Sequence, residues 1–260
     1  MAFENIIYDL TDGIATITIN RPKALNALNK ATVQEIEQCV DQIATDKNAQ
    51  VVIITGAGDK SFVAGADIKE MAPYGPSESA DWAAYGAAVI TKIEKLPQPV
   101  IAAVNGFALG GGCEISMAAD FRYCSENAVF GQPEVGLGII PGFGGTQRLA
   151  RLVGMGAAKE IIYSSKNIKA DEAYRIGLVN KVVPQAELMA EAVKAAKKIQ
   201  KQGPVAVQIA KKAINNGINT DIITGLAFES NVFGLCFATK DQKEGMQAFM
   251  EKRKPEFKGE

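Results

Sequence analysis

Pro99-Val-Ile-Ala-Ala-Val-Asn-Gly-Phe-Ala-Leu-Gly-Gly-Gly-Cys-Glu-Ile-Ser-Met-Ala-Ala-Asp120 decides the fold class. Val100–Val104 is a short, continuous apolar run, the pattern of a strand covered on both faces. It passes Asn105-Gly106 and reaches Gly110-Gly-Gly112, where an apolar helix starts. A buried strand feeding a helix belongs to α/β packing. Free N–H groups at a helix start attract negative charge, and glycine lets a ligand approach the backbone. Such a spot can hold a phosphate, or an oxyanion that develops during a reaction. Glu114 lies in the first turn or so, beside it. The plainer alternative is a tight turn with glycines for close packing and a surface Glu favoured by the helix dipole. By itself the segment leaves both open.

Working outward, residues 3–20 read as two strands, the second over Gly13–Asn20. Arg21-Pro22 breaks it. Asn29 can cap a helix whose apolar face is Val33, Ile36, Val40 and Ile43. Val51–Thr55 is a second buried strand, and Gly56–Gly65 reads as a loop. A helix is expected over about residues 77–95, ended by Leu96-Pro-Gln-Pro99. The strand-then-helix rhythm persists to about residue 200. From Pro204 onward the pattern is helical, so Gly203-Pro204 is the expected boundary between units 1–203 and 204–260. Asp120 and Asp171 read as helix-boundary residues.

Composition narrows the chemistry. The 260 residues, 47% of them hydrophobic, suffice for a sizeable core. Lys plus Arg number 28 against 29 Asp plus Glu, which gives no electrostatic case for a nucleic-acid partner. Cys39, Cys113, Cys124 and Cys236 stand far apart, without metal-ligand spacing, so a reduced cytoplasmic chain and no metal site are expected. The opening stretch is acidic early, at Glu4 and Asp9, and reads against a transit peptide. No apolar run reaches about 18 residues, so no membrane partner is expected. Histidine is absent altogether. That removes Ser-His-Asp and Cys-His nucleophiles and any His-ligated metal. Proton transfer near neutral pH then falls to carboxylates, Lys, Tyr or Cys.

Two more segments can carry chemistry. Phe130-Gly-Gln-Pro-Glu-Val-Gly-Leu-Gly-Ile-Ile-Pro-Gly-Phe-Gly-Gly-Thr-Gln-Arg148 holds six glycines and two prolines, which fix a stiff, irregular path. Glu134 sits in this apolar stretch, with Arg122 and Arg148 the nearest cations along the chain. A carboxyl in apolar surroundings holds its proton to higher pH, whereas a solvent-facing loop Glu does not. In Lys60–Glu70, Gly65-Ala66 before a short helix can supply a backbone donor, or simply cap that helix. Neither glycine cluster matches the dinucleotide fingerprint, and no Walker lysine exists, so a nucleotide cofactor is not expected. Together the segments read as two N–H donors and two carboxylates. Trp82, Tyr85 and Phe107 can line an acyl pocket or pack in the core. Glu251–Lys258 is a basic end, either solvated or facing a ligand phosphate.

The chain closely resembles the crotonase (enoyl-CoA hydratase/isomerase) family from about Ile14 to Arg253. The matching stretches are Asn20–Leu28, Phe62–Ile68, Asn105–Glu114, Gly131–Gly138, Pro141–Leu149 and Ala173–Val179. Within the family the likeness is nearest to the short-chain bacterial 3-hydroxybutyryl-CoA dehydratases. The resemblance implies a spiral of ββα units with a C-terminal helical element that covers the site and makes subunit contacts, in trimers or hexamers. It implies reversible hydration of a short-chain 2-enoyl thioester of coenzyme A, with coenzyme A part of the substrate and no other cofactor. The oxyanion-hole amides map onto Ala66 and Gly111, and the catalytic carboxylates onto Glu114 and Glu134. The coenzyme A pocket maps onto Lys23, Ala24, Leu25, Ala64, Gly65, Asp67 and Ile68. Rival activities on the same scaffold are 3-hydroxyacyl-CoA thioester hydrolysis, which releases free coenzyme A, and double-bond isomerisation. An RNA-binding branch also exists; it would need a clustered basic face.

Overall fold

In the computed structural model, which describes residues 3–260, the chain winds between two sheets. It starts as an antiparallel hairpin, β1 (Ile6–Thr11) and β2 (Ile14–Ile19), with Ile6 opposite Ile19. Helix α1 (Lys30–Thr45) follows, capped by Asn29, whose side chain accepts a hydrogen bond from Thr32 N at 2.9 Å. Its buried face holds Val33, Ile36, Val40 and Ile43, as the helical spacing requires. Burying those four contributes on the order of 6–12 kcal/mol before entropy is set against it.

Three turns of the spiral then repeat one step. A strand in the larger sheet is followed at once by a short strand in the smaller sheet. The first pair is β3 (Val51–Gly56) and β4 (Ser61–Ala64), leading into the short α2 (Ile68–Met71) and the long α3 (Pro76–Lys95). The second is β5 (Val100–Val104) and β6 (Phe107–Leu109), leading into α4 (Gly111–Ala118). The third is β7 (Phe121–Ser125) and β8 (Val129–Gly131). Helices α5 (Gly145–Val153) and α6 (Met155–Tyr163), strand β9 (Ile168–Lys169), α7 (Ala170–Arg175), β10 (Lys181–Val183) and α8 (Leu188–Ile199) close the set. The sheets run β1-β2-β3-β5-β7-β10 and β4-β6-β8-β9.

Both faces of the larger sheet are covered. Val52, Ile54, Val100, Ala102 and Val104 face the core shared with α1, α3 and α4, while Val51, Ile53, Ile101 and Ala103 face α8 through Leu188, Ala192 and Ala196. This explains the unbroken apolar runs. The stretch read as a loop, Gly56–Gly65, contains β4, which pairs with β6. The smaller sheet's strands have two to four residues, too few to display a period.

Helices only follow Pro204 among the described residues: α9 (Pro204–Gly217), α10 (Ile222–Cys236) and α11 (Lys240–Glu251). Lys211 anchors α9 to the start of β5, at 2.9 Å from Asp120 Oδ2 and 3.0 Å from the Gln98 carbonyl oxygen. Asp120 lies just past α4 and Asp171 in the first turn of α7, both at helix boundaries. No single helix among the described residues is long and apolar enough to cross a membrane.

The position of α4 depends on the backbone contact at Gly112. A Cβ there would lie 1.9 Å from the Val63 carbonyl oxygen, which belongs to β4. Gly112→Ala is expected to cost about 3 kcal/mol through overpacking against a strand that cannot yield. Differential scanning calorimetry should show the midpoint roughly 6–12 °C lower.

Candidate active site

The site forms where the smaller sheet's strands end. After β6, Gly110 adopts φ 49° and ψ −122°, a conformation that only glycine accepts readily, and turns the chain into α4. All of α4 is buried, so its first amides face the interior. Gly111 N, at the first helical position, has no intrahelical acceptor. Ala66 N is free for a different reason. In the parallel bridge between Leu28 and Ala66, Leu28 N donates to Gly65 O and Asp67 N donates to Leu28 O. The N–H of Ala66 itself therefore faces the other way. Among the described residues neither amide donates to another protein group.

Both amides line one cavity of about 710 Å³ together with Glu114 and Glu134. Its deep wall is apolar, with Trp82 and Phe143 almost wholly buried, and its mouth is flanked by exposed Ile68, Leu137 and Ile140. A concave, mostly apolar space with a few converging polar groups is what a small-molecule site requires.

Glu114 is 1% exposed. Its Oε1 accepts hydrogen bonds from Phe143 N at 2.8 Å and Gly145 N at 2.6 Å. Burial pushes its carboxyl up to about 7; the Gly145 N–H opposes this, the Glu134 charge adds to it, and the Phe143 N–H and Arg148 oppose it more weakly. Glu134 opens a 3-10 turn, Glu134–Leu137, rather than an open loop. It is half-buried, and burial raises its carboxyl too. Its Oε1 lies 2.8 Å from where a Gly110 Cβ would stand, so the carboxyl abuts the turn that leads into α4. Gln132, fully buried, can turn its amide nitrogen to both Glu134 oxygens, at 3.2 and 3.3 Å.

The two nearest cations along the chain are engaged elsewhere. Arg122 is buried and donates to the Ser116, Ala119 and Leu178 carbonyl oxygens, closing the end of α4. Arg148 binds Glu94 at 2.9 Å.

The remaining site residues fall into two groups. Ala64, Gly65 and Ile68 line the cavity with Ala66. Lys23 and Ala24 form a 3-10 turn beside it, and Leu25, with φ 50°, follows. The Leu25 carbonyl oxygen accepts from Ala64 N and from Ser61 Oγ, which fixes this turn against β4. These three residues do not line the cavity wall, and neither does Asp67, whose carboxylate pairs with Arg21 at 3.2 Å. Trp82 reaches the cavity; Tyr85 and Phe107 do not. Tyr85 instead donates its hydroxyl to Glu37. The basic end is folded back on α11: Arg253 pairs with Glu244 and Glu251, and Lys258 N donates to Asp241. The residues missed by sequence reasoning are Phe143 and Gly145. Their signal was the Gly-Gly pair at 144–145, which lets that loop close over Glu114.

The sequence profile described as enoyl-CoA hydratase/isomerase matches residues 9–260. The chain belongs to the enoyl-CoA hydratase/isomerase family. Among its relatives in this family, the short-chain-enoyl-CoA hydratase of Clostridium acetobutylicum is 58% identical over 256 residues, covering 98% of each chain. The crotonyl-CoA hydratase of Syntrophomonas wolfei is 56% identical over 257 residues, 99% of each. The crystal structure of an enoyl-CoA hydratase from Bacillus anthracis superposes with a TM-score of 0.96 at 47% identity, over 99% of this chain and 100% of that one. The spiral described above is the crotonase fold.

The buried Glu114 makes stability depend on pH. Its folded value lies above its unfolded one, so the folded chain binds the extra proton between about pH 4.5 and 7. Stability from this group is therefore lost as pH rises through that window. Urea unfolding at pH 5 and pH 8 should show wild type losing roughly 2 to 3 kcal/mol relative to Glu114→Gln, whose neutral side chain still accepts both N–H bonds. An unchanged difference would mean that Glu114 ionises normally.

Proposed function

We propose that this enzyme adds water reversibly across the double bond of a short-chain trans-2-enoyl-CoA to give a 3-hydroxyacyl-CoA. What carries the reading is one cavity holding two unengaged amides, Ala66 N and Gly111 N, and two carboxyls with raised proton affinity. The Clostridium and Syntrophomonas relatives support the short-chain substrate by name.

In the proposed mechanism the thioester oxygen accepts from the Ala66 and Gly111 N–H groups. Negative charge grows on that oxygen as water attacks C3, and the two donors stabilise it; each is worth about 3 kcal/mol in the barrier. One carboxylate takes the proton of the attacking water. The other carboxyl gives its proton to C2, so H and OH both come to rest on the substrate. Glu134, held against the Gly110 turn, is assigned the proton for C2, and Glu114 orients the water. The chain's own groups supply acid, base and oxyanion donors, so no cofactor enters the scheme. Coenzyme A comes and goes as part of the substrate, its pocket assigned to the Lys23–Leu25 turn and to Ala64, Gly65, Asp67 and Ile68.

Crotonyl-CoA should lose its enoyl absorbance on mixing with the enzyme. Glu134→Gln should lower kcat by about 10²- to 10⁴-fold with the fold intact. Parent-level hydration by Glu134→Gln removes that residue from the chemistry, and free coenzyme A as the product favours thioester hydrolysis.

We further propose that residues 204–260 make the subunit contacts of a homotrimer or hexamer in the cytoplasm. Ile218, Ile222, Ile223 and Phe249 are each more than 70% exposed in the single chain, apolar surface that a subunit contact would cover. Light scattering should give a mass of three or six chains, and Ile218→Asp with Ile223→Asp should shift it toward monomer.

A further inference from the structure

Glu114 does not hold its own position. Its carboxyl is held by amides of a glycine-rich loop, and that loop is held in turn by α3. The Phe143 ring lies in a seat that only Gly86 leaves open. A Cβ on Gly86 would be 2.2 Å from the ring's Cε1 and 2.5 Å from Cδ1 and Cζ. Trp82, one turn earlier on α3, meets the ring edge-on with centroids 5.3 Å apart. On the other side of the same residue, Arg148 Nη1 donates to the Phe143 carbonyl oxygen at 2.9 Å. The rest of that guanidinium reaches back to α3, to Thr91 Oγ1 at 3.0 Å and Glu94 Oε2 at 2.9 Å.

We propose that α3 is the positioning element for Glu114. Gly86 seats the Phe143 ring, and Arg148 ties the Phe143 carbonyl to Thr91 and Glu94, so the Phe143 and Gly145 N–H groups stay on the carboxyl. Gly86, Thr91 and Arg148 are positioning residues; none is assigned contact with substrate. The charged groups facing Glu114 are Glu134, across the cavity, and Arg148, from α5; Cys113 beside it is kept a neutral thiol by burial. The two amides favour the ionised carboxyl, so moving them away makes Glu114 keep its proton to higher pH. The catalytic consequence rests on the hydratase reading above, whereas the positioning itself does not.

The test compares Gly86→Ala and Arg148→Lys, each in the parent and in Glu114→Gln. Arg148→Lys keeps the positive charge and loses the planar fork, which separates position from simple attraction. The first readout is the pH dependence of unfolding free energy from pH 5 to 9, which needs no substrate. Loss of one charge-assisted bond should move the Glu114 midpoint up by about one pH unit. The same substitutions should move nothing in the Glu114→Gln background. The second readout is kcat/KM for crotonyl-CoA against pH, where the Glu114 limb should rise by the same amount. Parent midpoints in both folded variants overturn the proposal. So does a uniform loss of rate with no shift of the limb, because packing alone would produce it. If Gly86→Ala does not accumulate, Arg148→Lys decides the question alone. Absence of hydration in the parent would sink the hydratase reading, while the folding titration still judges the role of α3.

Discussion

A carboxyl group is buried at the start of a helix, and everything around it serves to keep it there. Placing an ionisable group in apolar surroundings is unfavourable unless its oxygens are bonded. Glu114 receives two backbone N–H groups from a segment about thirty residues away in sequence, which tie α4 to the loop before α5. The bonds satisfy one oxygen without neutralising the group. That balance leaves a carboxyl near the midpoint of its titration at neutral pH, the condition in which an acid or base is most useful. A salt bridge in the same place would have pinned it ionised, and the nearest guanidinium, Arg148, is taken up by Glu94.

The spiral explains why such a site can form. Each turn crosses from the larger sheet to the smaller one and leaves at the same end. The chain segments following β4, β6 and β8 are therefore brought together although they are far apart in sequence. One contributes Ala66, the next Gly111 and Glu114, the third Glu134. Strands this short would be marginal alone. They are held by pairing to one another and by the backbone contact at Gly112, so the smaller sheet acts as a rigid frame for three loops.

The larger sheet and the helices were legible in the sequence because each has a signal of its own. Val51–Thr55 and Val100–Val104 are apolar throughout, and α1 shows both its cap and its helical spacing. The smaller sheet was not legible: Ser61–Ala64 is too short for any period and gains its strand conformation only from pairing with β6. Glu114 and Glu134 stood out by residue type in glycine-rich surroundings, yet each segment alone left a bland reading open. The Gly144-Gly145 pair marks a loop free to make a close approach, but it does not say that the Phe143 and Gly145 amides would meet Glu114. That contact depends on the packing of α3, and hence on which face Gly86 presents.

The absence of histidine gives the arrangement its logic. An imidazole titrates near neutrality without help; a carboxyl does so only when burial or a like charge raises it. Here both operate on Glu114, and Glu134 faces it across the cavity. The Glu134 charge, together with burial, favours a proton on Glu114, and burial favours one on Glu134 too. Hydration of an alkene as proposed above needs one group to accept a proton from water and one to deliver a proton to carbon. A singly protonated pair supplies both in the same instant, and after the reaction it again holds one proton, now on the other member. The reverse reaction starts from that state. A pair of this kind is thus suited to a reversible addition, and folding supplies the energy that prepares it.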